Sequence, residues 1–177
     1  DLLQALTDPQ EAAAYIEANG KSEPFGPVRD GFSALDAEAR RAKAAALAAT
    51  IRGLASHDKP MVGHFTDAPE VLDFLESANA PRLAELGTSC PDHFLRTKVK
   101  PMILDLSADA SVEASIARLK ELHEAYRADY TAYYDAHATL ESPAMRGADP
   151  LIVLIPGVGM FSYGANKQTA RVAGEFY

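Results

Sequence analysis

Gly87-Thr88-Ser89-Cys90-Pro91-Asp92-His93-Phe94-Leu95-Arg96-Thr97-Lys98, near the middle of the chain, gathers its most reactive side-chain types into one stretch. It holds the one cysteine, one of five histidines and two closely spaced cations. Proline cannot extend a preceding helix but suits the first turn of a new one, so Cys90-Pro91 is expected to open a short helix. Cys90, His93 and Arg96 then recur every three residues, a spacing that puts them on one face. The free N–H groups of a first helical turn suit an anion or a thiolate.

Three chemistries compete for Cys90 and His93. A zinc site needs two further ligands, and the nearest spare histidine is His64. His57 and His64 stand seven apart and form no His-x-His or His-x-x-x-His pattern. A Cys–His nucleophile pair is chemically sound but has no evident third member. In the structural reading Cys90 is a small buried residue, and Asp92 and His93 fix the turn by hydrogen bonds. Separately, Arg96, Lys98 and Lys100 with the amides near Ser89 could hold a phosphate or carboxylate, against the alternative of a solvated helix end. The candidate substrate-binding residues are Ser89, His93, Arg96 and Lys98, with no catalytic or metal-binding residue assigned.

Other candidates reduce to structure. Gly157-Val158-Gly159 is no dinucleotide fingerprint, because strand-like residues follow where a helix should begin. Its glycines are expected to supply positive φ in a hairpin. His123 and His137 are expected at a surface or rim. Asp67 and Glu70 read as charges at a first helical turn.

The elements that must position these residues follow from periodicity and punctuation. Gln10 to Ala18 reads as a helix begun at Asp8-Pro9 and ended by Asn19-Gly20, and Lys21 to Phe32 as a connection. Asp36 to Ala55 reads as a helix with an apolar face of Leu35, Ala39, Ala42, Ala46, Ala49 and Leu54. Met61 to Phe65 is a strand candidate. Thr66 or Asp67 is expected to cap a helix over Pro69 to Ser77, followed by a helical turn over Pro81 to Leu86. Pro101 to Leu106 reads as an apolar strand. The longest helix starts at Ser111 and runs to about His137 on a stripe that includes Ile116, Leu119, Leu122, Tyr126 and Tyr130. Its tyrosines Tyr126, Tyr130, Tyr133 and Tyr134 serve either as core contacts with hydroxyls at the rim or as a stacking platform. Leu151 to Ile155 and Met160 to Tyr163 read as strands around a sharp turn, and Asn166 to Tyr177 as a helix. Short strands alternating with helices imply an α/β domain: three layers, α/β/α, around a short mixed sheet, preceded by a helical segment. The expected division is a lead-in over 1–35 and the α/β domain over 36–177.

Composition narrows the function classes. The chain has 177 residues, 47% hydrophobic and 24% charged, as in an ordinary globular protein. A net charge of −8 disfavours general attraction to nucleic acid or anionic membrane, while leaving room for a local cationic pocket. One cysteine excludes an internal disulfide framework and fits a reducing cytoplasm. No apolar run approaches the ~20 residues that span a bilayer. Both ends look cut from a longer polypeptide.

The central stretch resembles a signature of bifunctional rhamnulose-1-phosphate aldolase/short-chain dehydrogenases. Val62-Gly63-His64-Phe65, Asp129-Tyr130-Thr131-Ala132-Tyr133-Tyr134, Ser142-Pro143-Ala144-Met145 and Leu154-Ile155-Pro156-Gly157-Val158-Gly159-Met160 agree in order, as does Lys167 to Tyr177. The resemblance covers roughly Ala37 to Tyr177. It implies an AraD/adducin-like class II aldolase region followed by a dehydrogenase. The implied aldolase splits rhamnulose 1-phosphate into dihydroxyacetone phosphate and lactaldehyde, and the dehydrogenase oxidises the aldehyde with NAD. The family's zinc, held by a His-x-His pair plus a further His, would stabilise the enediolate as a Lewis acid.

This chain carries no His-x-His, and Ile155 to Gly164 contains no histidine where such aldolases often place their last ligand. The dehydrogenase's glycine-rich turn is absent too. The expectation is a region between the zinc-binding half and the dehydrogenase, with no cofactor of its own, while zinc and NAD belong to the full-length protein. Its residues would support or contact the phosphate of a sugar phosphate, in a cytoplasmic homo-oligomer. The alternative is a non-catalytic structural or oligomerisation module joining two enzyme domains.

Overall fold

The computed structural model describes residues 25–88 and 91–177. The expected Gln10 to Ala18 helix, Ser89 and Cys90 lie outside the described residues. In chain order the elements are α1 (Ala37–Ala55), β1 (Val62–Thr66), α2 (Pro69–Glu76), α3 (Ala80–Leu86), α4 (Pro91–Thr97), β2 (Met102–Ile103), α5 (Val112–His137), β3 (Ile152–Ile155), β4 (Gly159–Gly164) and α6 (Lys167–Phe176). No helix among the described residues is long and apolar enough to cross a membrane.

The strands form one mixed sheet in the order β1-β4-β3-β2. β4 pairs antiparallel with both β1 and β3, while β2 runs parallel to β3. Successive side chains of a strand point to opposite faces, and that alternation builds the expected three layers. Val153, Ile155, Phe161 and Tyr163 turn toward α1 and α5, meeting Leu47, Ile51, Leu119 and Tyr126. Ile152, Leu154 and Met160 turn the other way, onto Leu75 of α2, Ala84 of α3 and Ala173 of α6. Both central strands are buried along their whole length; β3 reads as a continuous apolar run, while β4 includes Ser162, whose hydroxyl donates to Ala170 O at 2.8 Å.

Local chemistry sets the boundaries. Asp36 and Ser111 cap α1 and α5 by accepting from Ala39 N at 2.8 Å and Ala114 N at 3.1 Å. Asn166 does the same for α6 through Thr169 N at 2.9 Å. The β3–β4 turn has Gly157 at φ +73° and Gly159 at φ +146°, the positive values expected from the glycine spacing. A Cβ on Gly159 would lie 2.6 Å from Thr66 O, so the neighbouring strand also requires glycine there.

Four expectations are corrected. α1 does not bury Ala42, Ala46 and Ala49, which are exposed; its inward residues are Lys43, Ala44, Leu47, Ile51 and Ala55. Burial favours the larger Leu47 and Ile51 over the more numerous alanines, and that choice rotates the helix. Lys43 joins this face by threading its stem inward, its Nζ donating to Ala108 O at 2.5 Å and Ala110 O at 2.6 Å.

Neither Thr66 nor Asp67 caps α2: the N-cap is Ala68, without a side-chain hydrogen bond, and Asp67 instead lies 3.5 Å from Arg40. The strand expected over Pro101 to Leu106 shrinks to Met102–Ile103, with Leu104 N donating to Leu154 O at 2.9 Å just beyond it. His123 is no rim residue. It is 4% exposed on the inner face of α5, in step with Leu119 and Tyr126.

Candidate functional site

α4 opens at Pro91 as expected and ends at Thr97, whose hydroxyl donates to His93 O at 3.0 Å. The next residue, Lys98, takes φ +66° and donates its backbone N–H to Phe94 O at 2.9 Å. That position just past a helix is usually glycine, because a side chain there costs about 1–2 kcal/mol. Lys98 is the only non-glycine residue with positive φ among the described residues.

Its side chain runs inward across α5. Nζ donates to Gly147 O at 2.7 Å and lies 4.1 Å from the ring centroid of Tyr130. Burial pulls the ammonium down from 10.5 to about 8; Asp149 and Asp58 oppose the shift, and Lys59 and Arg127 add to it. Lys100, two residues on, has the opposite fate. Glu85 at 2.8 Å and Asp129 at 2.9 Å hold it, with the Glu85 hydrogen bond the chief cause of a raised pKa. That commitment removes Lys100 from the expected anion-binding group.

Lys98 and Arg96 line a cavity of about 410 Å³. Lys59 and Arg146 stand on its wall, as do Tyr130, Tyr133 and Tyr134 from the far half of α5. Among the described residues, Lys59, Arg96 and Arg146 make no ion pair. The two carboxylates on the wall are already neutralised. Asp58 accepts from Arg127 Nη2 at 2.9 Å and from Ala148 N at 2.7 Å. Arg127 chiefly holds Asp58 well below the usual carboxylate range. Asp149 meets His123 Nε2 at 3.1 Å, pairs with Arg127 Nη1, and accepts from Asp58 N at 2.8 Å. The cavity therefore presents cations, phenol rings and two spoken-for carboxylates, a combination that suits an anion attached to a polar carbon skeleton.

His93 points elsewhere. It lines a second cavity, of about 700 Å³, with His64, Glu70, Arg171 and Glu175, and its ring meets Phe176 edge-on at 5.1 Å. Arg171 there is paired with Glu175. The residues expected to act together are thus divided: Arg96 and Lys98 share one cavity, His93 belongs to another, and Ser89 is outside the described residues. Helical spacing put His93 and Arg96 on one face, but α4 is wedged between α6 and the end of α5, so neighbouring positions meet different surroundings.

The four-residue network of Asp58, His123, Arg127 and Asp149 was not foreseen. Its one sequence signal was the four-then-three step Leu119, His123, Tyr126, which places the histidine on the buried stripe. His57, Asp58 and Asp149 bring ligand atoms within 4.8 Å of one another, and no other trio of metal-binding side chains does so among the described residues. Those oxygens face the Arg127 guanidinium and backbone N–H donors. The donor set is built around a fixed cation and does not fit a zinc ion.

Residues 42–177 match the family model described as aldolase class II, second domain. The uncharacterized oxidoreductase YuxG of Bacillus subtilis (strain 168) is 32% identical over 170 residues, which are 95% of this chain and 24% of that protein. The chain spans about a quarter of the length of this curated relative. No solved structure matches.

Proposed function

The chain belongs to the family of class II aldolase second domains, and from that premise we propose that it serves a sugar-phosphate aldolase by holding the anionic end of the substrate. The observation that carries this reading is the cavity where Arg96, Lys98, Lys59 and Arg146 converge while Arg127 neutralises the two carboxylates that the described residues place on the wall. Charge-assisted hydrogen bonds from guanidinium to phosphate are short and directional, so they fix one end of the substrate and leave the carbonyl end to be oriented.

Rhamnulose 1-phosphate is the proposed substrate, cleaved to dihydroxyacetone phosphate and lactaldehyde, with the aldehyde oxidised by NAD in a fused dehydrogenase. The order of the motifs quoted above supports the first part, and the oxidoreductase name of the Bacillus subtilis relative supports the second. Zinc chemistry is expected of class II aldolases. His57, Asp58 and Asp149 do not fit that ion, so no step is assigned to them. A cytoplasmic homo-oligomer belongs to the same reading.

The test is aldol cleavage by the enzyme at its natural length. Arg96→Ala is expected to raise KM for the phosphorylated ketose at least tenfold and to weaken inhibition by inorganic phosphate, with kcat changed less. An unchanged KM and unchanged phosphate inhibition would overturn the reading.

A second reading, a structural or oligomerisation module, is favoured by one observation. Leu86 and Leu95 are 70% and 71% exposed at neighbouring helices α3 and α4. It predicts that Leu86→Asp splits an assembly seen by sedimentation, while leaving cleavage by the remaining species intact.

A further inference from the structure

We propose that the cavity beside α4 has a second end that stacks a planar ring, and that it takes a free nucleoside diphosphate in competition with the sugar phosphate. The proposal rests on the cavity reading above and adds a regulatory ligand for the same site.

The ring end is made by α4 and the far half of α5. Tyr126, the first of the α5 tyrosines, belongs to the core: it is 7% exposed and its hydroxyl donates to Lys100 O at 2.9 Å. Tyr130, Tyr133 and Tyr134 border the cavity instead, joined by Phe94. Tyr134 is fixed there by its hydroxyl, which donates to Pro143 O at 2.6 Å. Tyr133 is 40% exposed and has Phe94, Tyr130 and His137 at ring-centroid distances of 6.3, 6.2 and 4.7 Å. Their planes are tilted to it by 56°, 38° and 34°, so no neighbouring ring lies flat on it.

The charge at the other end suits more than one phosphate. Among the described residues, Lys59, Arg96, Lys98, Arg146 and Arg127 stand against Asp58 and Asp149, which leaves three positive charges over. A single phosphate ester brings about −1.5 to −2 and leaves part of that surplus unmet. A diphosphate carries more charge and meets it.

An aromatic wall beside clustered cations is the pairing that a nucleotide needs, because any base has a face to stack and its phosphates need charge. A ketose cleaved in its open-chain form has no flat ring to set against Tyr133. The substrate reading therefore uses the cationic end and leaves the aromatic end free. The cavity, at about 410 Å³, lies in the size range of small-ligand pockets.

The experiment is titration calorimetry on the natural-length enzyme with two probes, ADP and inorganic pyrophosphate, both highly charged but only one bearing a ring. Saturating NAD is present throughout, so that any dehydrogenase site is filled beforehand. ADP is expected to bind at least tenfold more tightly than pyrophosphate, and to raise the KM for the phosphorylated ketose without lowering kcat. Tyr133→Ala should remove the tenfold advantage and leave pyrophosphate binding unchanged. Tyr133→Phe, which keeps the ring, should retain it, and the unfolding transition of each variant checks that it folds. The comparison on the unsubstituted enzyme depends on no variant. Equal affinities for the two probes, or an ADP advantage that survives Tyr133→Ala, would overturn the proposal. Arg96→Ala separates the two ideas. Pyrophosphate binding that needs Arg96, without an ADP advantage, overturns the nucleotide and leaves the cavity reading standing; pyrophosphate binding indifferent to Arg96 overturns both.

Discussion

Nε2 of His123 and Oδ1 of Asp149 lie 3.1 Å apart, and both side chains are closed off from solvent. The pair ties the middle of α5 to the loop before β3. Arg127, one turn along the helix, pairs with the same carboxylate and with Asp58 after α1. One arginine thus joins three separate segments and sets the charge of the 410 Å³ cavity. Removing one partner of such a network leaves a buried charge uncompensated, which costs more than the pair contributes.

Arg127→Met is therefore expected to destabilise the protein by about 3 kcal/mol, measured by urea unfolding. Replacing Asp149 by Asn in the same variant should recover part of the loss. Strict additivity of the two substitutions would show that the groups do not act together.

Acid should weaken the fold progressively. Asp58 and Asp105 are held below their usual range, chiefly by hydrogen bonds from Arg127 and Arg118 respectively. A carboxylate depressed in the folded state contributes stability above its unfolded pKa and loses it as pH falls through the folded value. Stability is expected to decline from near pH 4 downward, with the Asp58→Asn variant showing a shallower slope in unfolding free energy against pH.

Lys98 predicts the opposite limb. Its folded pKa of about 8 lies below the ordinary 10.5, so the folded state resists protonation. That penalty is full below pH 8 and is relieved as pH climbs toward 10.5. Compared with Lys98→Met, the unsubstituted protein should gain stability across that window. Parallel curves for the two would contradict the burial of this amine.

The division of α4 between two cavities gives a kinetic prediction. His93→Ala is expected to leave inhibition by inorganic phosphate unchanged, whereas Arg96→Ala weakens it at least tenfold. Equal effects of both would mean that the two side chains serve one site.

Two glycine substitutions should move stability in opposite directions. Gly159→Ala forces a side chain onto φ +146° and against Thr66 O, costing about 1–3 kcal/mol. Gly53 lies inside α1 with nothing near its virtual Cβ. Gly53→Ala should raise stability by about 0.5–1 kcal/mol. Thermal unfolding of the pair checks both signs.

Legibility followed how local each cause is. The helix starts at Asp36, Ser111 and Asn166, the Pro91 start of α4 and the glycine turn at 157–159 depend on a few adjacent residues, and all appear where expected. The rotation of α1 does not, because alanine and lysine positions are ambiguous until Leu47 and Ile51 meet the sheet. β2 was overestimated for a related reason: Pro101 to Leu106 is apolar because it is partly buried, but β3 offers only a short parallel edge. The candidate site was half legible. Arg96 and Lys98 could be singled out by type and spacing, whereas their partners Lys59, Tyr130 and Arg146 arrive from distant segments that only the fold assembles. His123 and Asp149 were missed because a lone histidine on an otherwise apolar stripe gives no hint of a carboxylate 26 residues away.

The sheet order has a consequence for how this domain forms. β1 is complete early, yet its partner β4 lies almost a hundred residues downstream. Bringing such distant segments together carries a loop-closure cost that local contacts do not repay, so this pairing belongs among the slow steps of folding. During synthesis β1 stands as an open edge until the glycine turn emerges, and its Val62 and Phe65 are then exposed to mispairing. Final closure of the sheet is thus tied to the same turn that places Gly159 against Thr66, making a two-glycine corner the checkpoint for assembly of the whole domain.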